Sequence, residues 1–201
     1  DVDYSINSND VHKELMSNHT KGNEIALLAS TNSGKQDILH KQKKQLSKIT
    51  SDELMGVRHA NYCYDSRITH EFHKKNGFIY NSSVGFKQKD GFINGLGFPF
   101  YQYGSHSNDL RSSFGWHSLE LPIVFIDEHL KLSNSSIIPF ESAKEIVDHL
   151  IESVEFNNGF ISFNYSISNF NEIIYNKELL NYTIEEIRPK NVFIATLMEI
   201  A

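Results

Sequence analysis

Histidine and arginine side chains are the first candidates for chemistry in this sequence. His59 follows Arg58 at the end of a predicted strand, a position that suits a metal ligand. His70 and His73 are three residues apart, a spacing that can bind a metal from one face of a helix. A solvated pair is the commoner use of this spacing, so we expect His70 and His73 at the surface.

Glycine and aromatic residues dominate the stretch from Ser83 to Tyr103. One interpretation is a long loop whose aromatic rings are buried, and the other is an aromatic platform for sugar rings. The two interpretations are compatible with each other. The candidate substrate-binding residues are Phe98, Tyr101, Tyr103 and the single tryptophan, Trp116.

Short apolar runs alternate with helix-like segments, a rhythm typical of α/β proteins. We predict one domain over residues 1–201. The predicted helices cover residues 37–49, 68–75, 141–154 and 171–187. The predicted strands lie near residues 25–29, 55–59, 78–82, 119–126, 159–164 and 192–195. Pro122 has no backbone N–H, so we expect an edge position or a bulge there.

Composition excludes several classes of protein. The chain has 201 residues, a formal net charge of -6 and 39% hydrophobic residues, which argues against nucleic acid as a partner. No run approaches the roughly 18 apolar residues of a membrane span. Cys63 is the only cysteine, so it forms no intramolecular disulfide, and we expect a reducing, cytoplasmic location.

Seven short strings carry a resemblance to a known family. In chain order they are Asp1 to Asp3, Gly22 to Leu27, Gly56 to His59, Asn76 to Ser83, Gly91 to Gly95 with Phe98 to Phe100, Leu121 to Ile123 with Asp127, and Val192 to Thr196. With these strings the chain resembles the polysaccharide deacetylases of carbohydrate esterase family four, particularly their bacterial surface-polysaccharide branch. The resemblance extends over nearly the whole chain. It implies a distorted barrel of seven β/α units, possibly incomplete or open.

The resemblance also implies a chemistry, the metal-assisted removal of an N-acetyl group from an amino sugar. In that chemistry Asp1 would be the general base and Asp3 a metal ligand. Arg58 and Asp127 are the other retained catalytic candidates. His59 is the best substitute metal ligand if the metal site has moved.

Several positions depart from the family pattern. Leu28 and Asn32 stand where the family places a histidine and a second metal ligand. Asn81 replaces an aspartate and Ile93 replaces an arginine, and the stretch 163–165 lacks a histidine expected after the last strand. Leucine offers no lone pair, and one strong ligand rarely holds zinc.

These departures predict a deacetylase-like protein with lost or altered catalysis that binds carbohydrate, such as a surface or cell-envelope polysaccharide. We expect no cofactor under this hypothesis. The alternative hypothesis is an active, zinc-dependent N-deacetylase that acts on an N-acetylated amino sugar. The metal content of the purified protein separates the two hypotheses.

The beginning of the sequence departs from the family as well. Only about 20 mostly polar residues separate Asp3 from Glu24, where the family has a helix and a second strand. We therefore expect residues upstream of Asp1 and a further segment between about Asp3 and Gly22.

Overall fold

The computed structural model describes residues 6–65, 68–95, 97–101, 118–132 and 136–201. The described residues form two compact units. The first unit lies within Asp1–Ser83, Phe100–Leu121 and Ala195–Ala201, and the second within Val84–Pro99 and Pro122–Ile194. Each unit has its own core.

The first unit is built on a five-stranded sheet in the order β1-β2-β3-β5-β4. Its strands are β1 (Leu27–Ala29), β2 (Gly56–His59), β3 (Tyr80–Asn81), β4 (Phe100–Tyr101) and β5 (Leu119–Glu120). All neighbouring strands are parallel except β4, which pairs antiparallel with β5. Helices precede β1 and connect the first three strands: α1 (Asn9–Thr20), α2 (Gln36–Thr50) and α3 (Thr69–Lys75). The short helix α7 (Leu197–Ile200) ends the chain.

One face of this sheet forms the first core together with helix α2. On α2 the buried residues are Leu39, Lys43, Leu46 and Thr50, which recur at helical spacing. Leu39 and Leu46 pack with residues of the strands and their flanks, namely Leu27, Ala29, Leu54, Val57 and Phe78. Helix α2 ends at Ser51, whose left-handed backbone (φ 62°) turns the chain toward β2.

The second unit contains the parallel pair β6 (Phe125–Ile126) and β7 (Phe163–Asn164). Three helices accompany this pair: α4 (Phe140–Asn157), α5 (Asn169–Glu172) and α6 (Asn176–Ile187). Their apolar faces share a core with β6 whose buried members are Val124, Phe125, Leu130, Ala143, Val147, Leu150, Ile151, Ile173 and Leu179. None of the helices in the described ranges has the length and apolar character that a membrane crossing requires.

The predicted α/β class is confirmed. The predicted helices 37–49, 68–75 and 141–154 are found with small shifts at their ends, whereas the predicted helix 171–187 is two helices, α5 and α6, separated by residues 173–175. The predicted strand over residues 119–126 is two strands. Residues Leu119–Glu120 pair with β3, whereas Phe125–Ile126 pair with β7. Pro122 lies between them, where it has no N–H to donate to a ladder.

One further prediction differs from the structure. Residues 192–195 form no strand, because the one backbone bond there, from the Val192 N–H, goes to the nearby Lys190 carbonyl and no strand in the described ranges pairs with them. Residues 9–23 are helix α1 followed by a hydrogen-bonded turn, and the further segment expected between about Asp3 and Gly22 stays a prediction. A side-chain hydrogen bond to Ser8 caps this polar helix.

The contact between Gly56 and Tyr80 generates a stability prediction for the first unit. A Cβ atom at residue 56 would lie 2.0 Å from the Tyr80 ring. We expect Gly56→Ala to lower the free energy of unfolding by about 1–3 kcal/mol, because the buried ring has to move. Gly34→Ala is the matched control, since nothing lies within 4 Å of its added Cβ. Equal urea midpoints for both variants would contradict the packing assignment.

Candidate functional site

The candidate residues Arg58 and His59 lie on opposite faces of strand β2. In the register with β1, Arg58 is opposite Leu28 and His59 is opposite Ala29. Leu28 is 65% exposed, whereas Ala29 and His59 are buried. Because successive side chains of a strand alternate between faces, Arg58 belongs to the open face and His59 to the face covered by helices. The two side chains therefore do not converge on one reacting group.

His59 is part of a chain of buried hydrogen bonds. Its Nδ1 atom lies 2.9 Å from the Ser33 hydroxyl, and its Nε2 atom lies 2.9 Å from the Nε2 atom of His73. The Nδ1 atom of His73 is 3.2 Å from the Ser118 hydroxyl. All four side chains are buried. The expectation that His73 and His70 lie at the surface is wrong, since both are buried.

The hydrogen bonds define the protonation of both rings. The Ser33 hydroxyl donates to the Ser30 carbonyl, so its oxygen accepts the Nδ1–H of His59. His59 Nε2 is then a lone-pair acceptor for the Nε2–H of His73. The Nδ1 atom of His73 accepts in turn from the Ser118 hydroxyl. Both imidazoles are consequently neutral, and all four of their nitrogens are engaged.

Burial keeps these rings neutral. It lowers the pKa of His59 to about 4. It also lowers the pKa of His73 to about 3, with smaller contributions from the neighbouring His59 and His70. A proton added to His59 Nε2 would place two N–H groups against each other across 2.9 Å. A metal at His59 would require this buried bond to break, so the geometry does not fit the role of substitute ligand.

The open face of the sheet carries Arg58. Its Nε atom donates to the Ser82 carbonyl at 2.8 Å, and its Nη2 atom donates to the Ser82 hydroxyl at 3.0 Å. Nearby, the Tyr80 hydroxyl donates to the Glu24 carboxylate, which also accepts the Met198 N–H at 3.0 Å. Burial raises the pKa of Tyr80, and the bond to Glu24 raises it further. Tyr80 therefore stays protonated and connects β3 to the segment before β1.

Glu120 is a buried acid that sequence reasoning missed. Its carboxylate accepts the Ser83 N–H at 3.1 Å and the side-chain amide of Asn81. The Ser83 hydroxyl also accepts the His59 N–H at 2.9 Å and donates to Asn81. Asn81, where the resemblance implies an aspartate, thus joins a network between β2, β3 and β5. A single acid inside the apolar run 119–126 was the available signal for such a buried site.

Asp127 lies in the second unit and is fully buried. Its carboxylate accepts from the Ser166 N–H at 2.8 Å, from the Asn169 amide at 2.9 Å and from the Asn176 amide at 2.7 Å. Three donors thus hold one carboxylate between β6 and helices α5 and α6. This arrangement is typical of a structural anchor, and the catalytic role that the resemblance implies stays a prediction.

Two of the metal positions implied by the resemblance are held by Leu28 and Asn32. Leu28 presents an exposed alkyl side chain and Asn32 is an exposed amide. No group of three His, Cys, Asp or Glu side chains suited to a metal occurs in the described ranges. These donors do not fit a zinc ion. Asp1 and Asp3 lie outside the described residues.

The aromatic candidates have different environments. Phe98 is 48% exposed and Tyr101 is 66% exposed, so both can contact a ligand from solvent. Phe92, from the same glycine-rich stretch, packs against the core of the second unit. Tyr103 and Trp116 lie outside the described residues.

No family model matches the sequence, and no curated protein matches it. Solved structures that share its fold include a protein described as a polysaccharide deacetylase from Mycobacterium smegmatis, with TM-score 0.70 and 15% identity over 97% of this chain and 67% of that chain. Another, described as a polysaccharide deacetylase from Pseudomonas aeruginosa PAO1, has TM-score 0.61 and 12% identity. Puue allantoinase has TM-score 0.58 and 10% identity. The last two matches cover 94% of this chain and 61% of each neighbour.

These similarities establish the fold. The chain has the α/β architecture of the polysaccharide deacetylase neighbours, and its sheets are compatible with an open, incomplete form of their barrel. The chain spans 61% to 67% of the length of the three solved structures. Activity does not follow from a shared fold, so it has to be argued from the site.

The buried histidine pair predicts a specific pH dependence of stability. In the unfolded chain each histidine takes up a proton near pH 6.5, whereas in the folded protein both remain neutral until about pH 4 and 3. The pair's stabilisation is present above pH 6.5 and is lost as the pH falls, at up to about 1.4 kcal/mol per pH unit for each ring. Urea unfolding between pH 7 and 5 measures this slope. We expect His73→Gln to reduce it and the exposed control His149→Gln to leave it unchanged, and identical slopes would overturn the assignment.

The environment of Asp127 predicts a structural phenotype. Asp127→Ala leaves buried donors from three residues without an acceptor, so we expect a loss of about 3 kcal/mol in the free energy of unfolding. Glu128→Ala is the neighbouring control, because Glu128 is exposed and pairs with Lys131 at the surface. Chemical denaturation compares the two variants. A stable, fully folded Asp127→Ala protein would contradict the anchoring role.

Proposed function

We propose that this chain is a polysaccharide deacetylase-like protein that binds carbohydrate and has lost or altered the hydrolytic chemistry. The observation that carries the proposal is Leu28, which stands where the resemblance requires the first histidine ligand. Its side chain is exposed on the open face of β1, in register with Arg58. A hydrocarbon side chain at this position cannot donate an electron pair to zinc.

The state of the remaining polar groups supports the same proposal. Proton transfer requires a side chain within hydrogen-bond reach of the substrate, with a proton or a lone pair to exchange. In the described part of the chain, His59 and Asp127 use their polar atoms in bonds to buried neighbours. Arg58 has two donors bound to Ser82. These residues are held as parts of the scaffold.

Carbohydrate is the proposed ligand class because of the exposed rings of Phe98 and Tyr101. Aromatic rings stack on the apolar faces of sugars, and a tyrosine adds a hydroxyl that can bond to the sugar. A surface or cell-envelope polysaccharide is the polymer that the resemblance suggests. No metal or other cofactor is needed for such binding.

Oligosaccharide binding tests the proposal. With N-acetylglucosamine oligosaccharides as the probe, we expect Phe98→Ala and Tyr101→Ala each to weaken binding by about 1 kcal/mol, roughly fivefold in Kd. Phe156→Ala is the matched control, because Phe156 is an 88% exposed phenylalanine on helix α4 outside the glycine-rich stretch. Isothermal titration gives the affinities. Equal effects of all three substitutions would contradict the assignment of these two side chains to carbohydrate binding.

An acetate assay on the same samples tests the catalytic part. We expect the purified full-length protein to release no acetate from these oligosaccharides, with or without added zinc. Acetate release that depends on zinc would overturn the proposed loss of catalysis and establish the alternative, an active N-deacetylase. Metal analysis of the protein as purified would then give its zinc content.

A further inference from the structure

Helix α2 carries a lysine at a position where its core face is otherwise apolar or uncharged. Lys43 lies between Leu39 and Leu46 on the buried stripe of the helix. Burial lowers the pKa of its ammonium group, because a charge loses hydration there. The Nζ atom donates to the Asn76 carbonyl at 2.6 Å and lies 4.7 Å from the centre of the Phe78 ring. The chain thus keeps a positively charged side chain at the end of helix α3, although its burial costs hydration free energy.

A cavity of about 350 Å³ opens beside this lysine. Helix α2 contributes His40, Lys43, Lys44 and Ser47, the end of α3 contributes Lys75 and Asn76, and Glu53 completes the lining. The four residues from α2 follow the spacing i, i+3, i+4 and i+7, so they form one face of the helix. A helix face directed toward a neighbouring helix is usually apolar. This face is polar and borders an open space.

The charge of the cavity is positive although the whole chain has a formal net charge of -6. Three lysines line it against one carboxylate, Glu53, which lies 3.5 Å from the Lys43 ammonium and is itself mostly exposed. Lys44 has no acidic partner in the described ranges, and Lys75 makes one long contact of 3.4 Å with Gln36. A concave surface with an excess of one charge concentrates the field and attracts ions of the opposite sign.

We propose that this cavity binds an oxyanion of the phosphate class, either free or carried on a small sugar. Lys44 and Lys75 supply mobile ammonium donors that suit the oxygens of a phosphate. Ser47 offers a hydroxyl, and Lys43 adds positive charge at the base of the site. The volume is at the lower end of the range for small-molecule pockets, which is enough for a phosphate and one sugar ring. The site contains neither Arg58 nor Phe98 or Tyr101, so it is independent of the proposed polysaccharide binding.

The experiment compares two double variants with the same change in net charge. Lys44→Gln/Lys75→Gln removes two lysines of the cavity, and Lys41→Gln/Lys48→Gln removes two exposed lysines of α2 that do not line it. The probes are inorganic phosphate, glucose 6-phosphate and glucose, titrated by calorimetry at constant ionic strength. We expect the cavity variant to bind phosphate about tenfold more weakly than the wild type, and the control variant to bind it within about twofold. Thermal unfolding checks that both variants remain folded.

The outcomes separate the possibilities. Tighter binding of glucose 6-phosphate than of phosphate, with no binding of glucose, supports a sugar-borne anion, and equal affinities support a free oxyanion. Equal weakening in both double variants would show general attraction to a basic helix and overturn the site. Failure of the full-length wild type to bind either anion would also overturn it. Neither result would affect the titration with neutral oligosaccharides.

Discussion

The first unit depends on one hydrogen bond between two neutral imidazoles. The Nε2 atoms of His59 and His73 are 2.9 Å apart, and this contact is favourable only while one nitrogen carries a proton and the other does not. The bond joins strand β2 to helix α3, and its outer ends reach Ser33 after β1 and Ser118 before β5. The carboxyl ends of the first two strands and the start of β5 are therefore connected through uncharged rings, and burial is the largest cause that lowers the pKa of both rings.

This constraint also determines what the neighbouring residues can do. Strand alternation commits His59 to the helix-covered face and places Arg58 with Leu28 on the open face, where Arg58 donates to Ser82. On the covered face, Glu120 receives donors from Asn81 and Ser83, so the charge of that carboxylate is also compensated locally. In the described part of this unit, the buried acid Glu120 and the imidazoles of His59 and His73 thus form hydrogen bonds that hold neighbouring elements together.

The sequence alone predicted the elements that depend on the spacing of apolar residues. The apolar spacing of α2 and α4 predicted both helices, and the alternation of apolar runs and helices predicted the α/β class. Burial of the histidines could not be read in the same way, because α3 has seven residues, too few for a stripe to show which face is covered. Residues 192–195 have the composition of a strand, yet a strand needs a partner, and composition does not supply one. The four residues between β5 and β6 likewise include a proline whose effect depends on which strands lie beside it.

A resting active site and a site that has lost its chemistry differ in one physical respect. The difference is whether their polar side chains already have hydrogen-bond partners when no ligand is bound. A resting enzyme can leave catalytic hydrogen bonds long or poorly aligned until substrate binds, because those groups must exchange protons with it. Asp127 is the opposite case, since a backbone N–H and two amide side chains hold its carboxylate at 2.7 to 2.9 Å without any ligand. If that carboxylate moved toward a substrate, its three hydrogen-bond donors would be left unpaired. The binding of the substrate would have to supply the free energy that this costs. The same reasoning applies to His59, whose two nitrogens are both engaged inside the core. Exposed side chains such as Tyr101 carry no such cost, because they can meet a ligand without breaking a buried hydrogen bond.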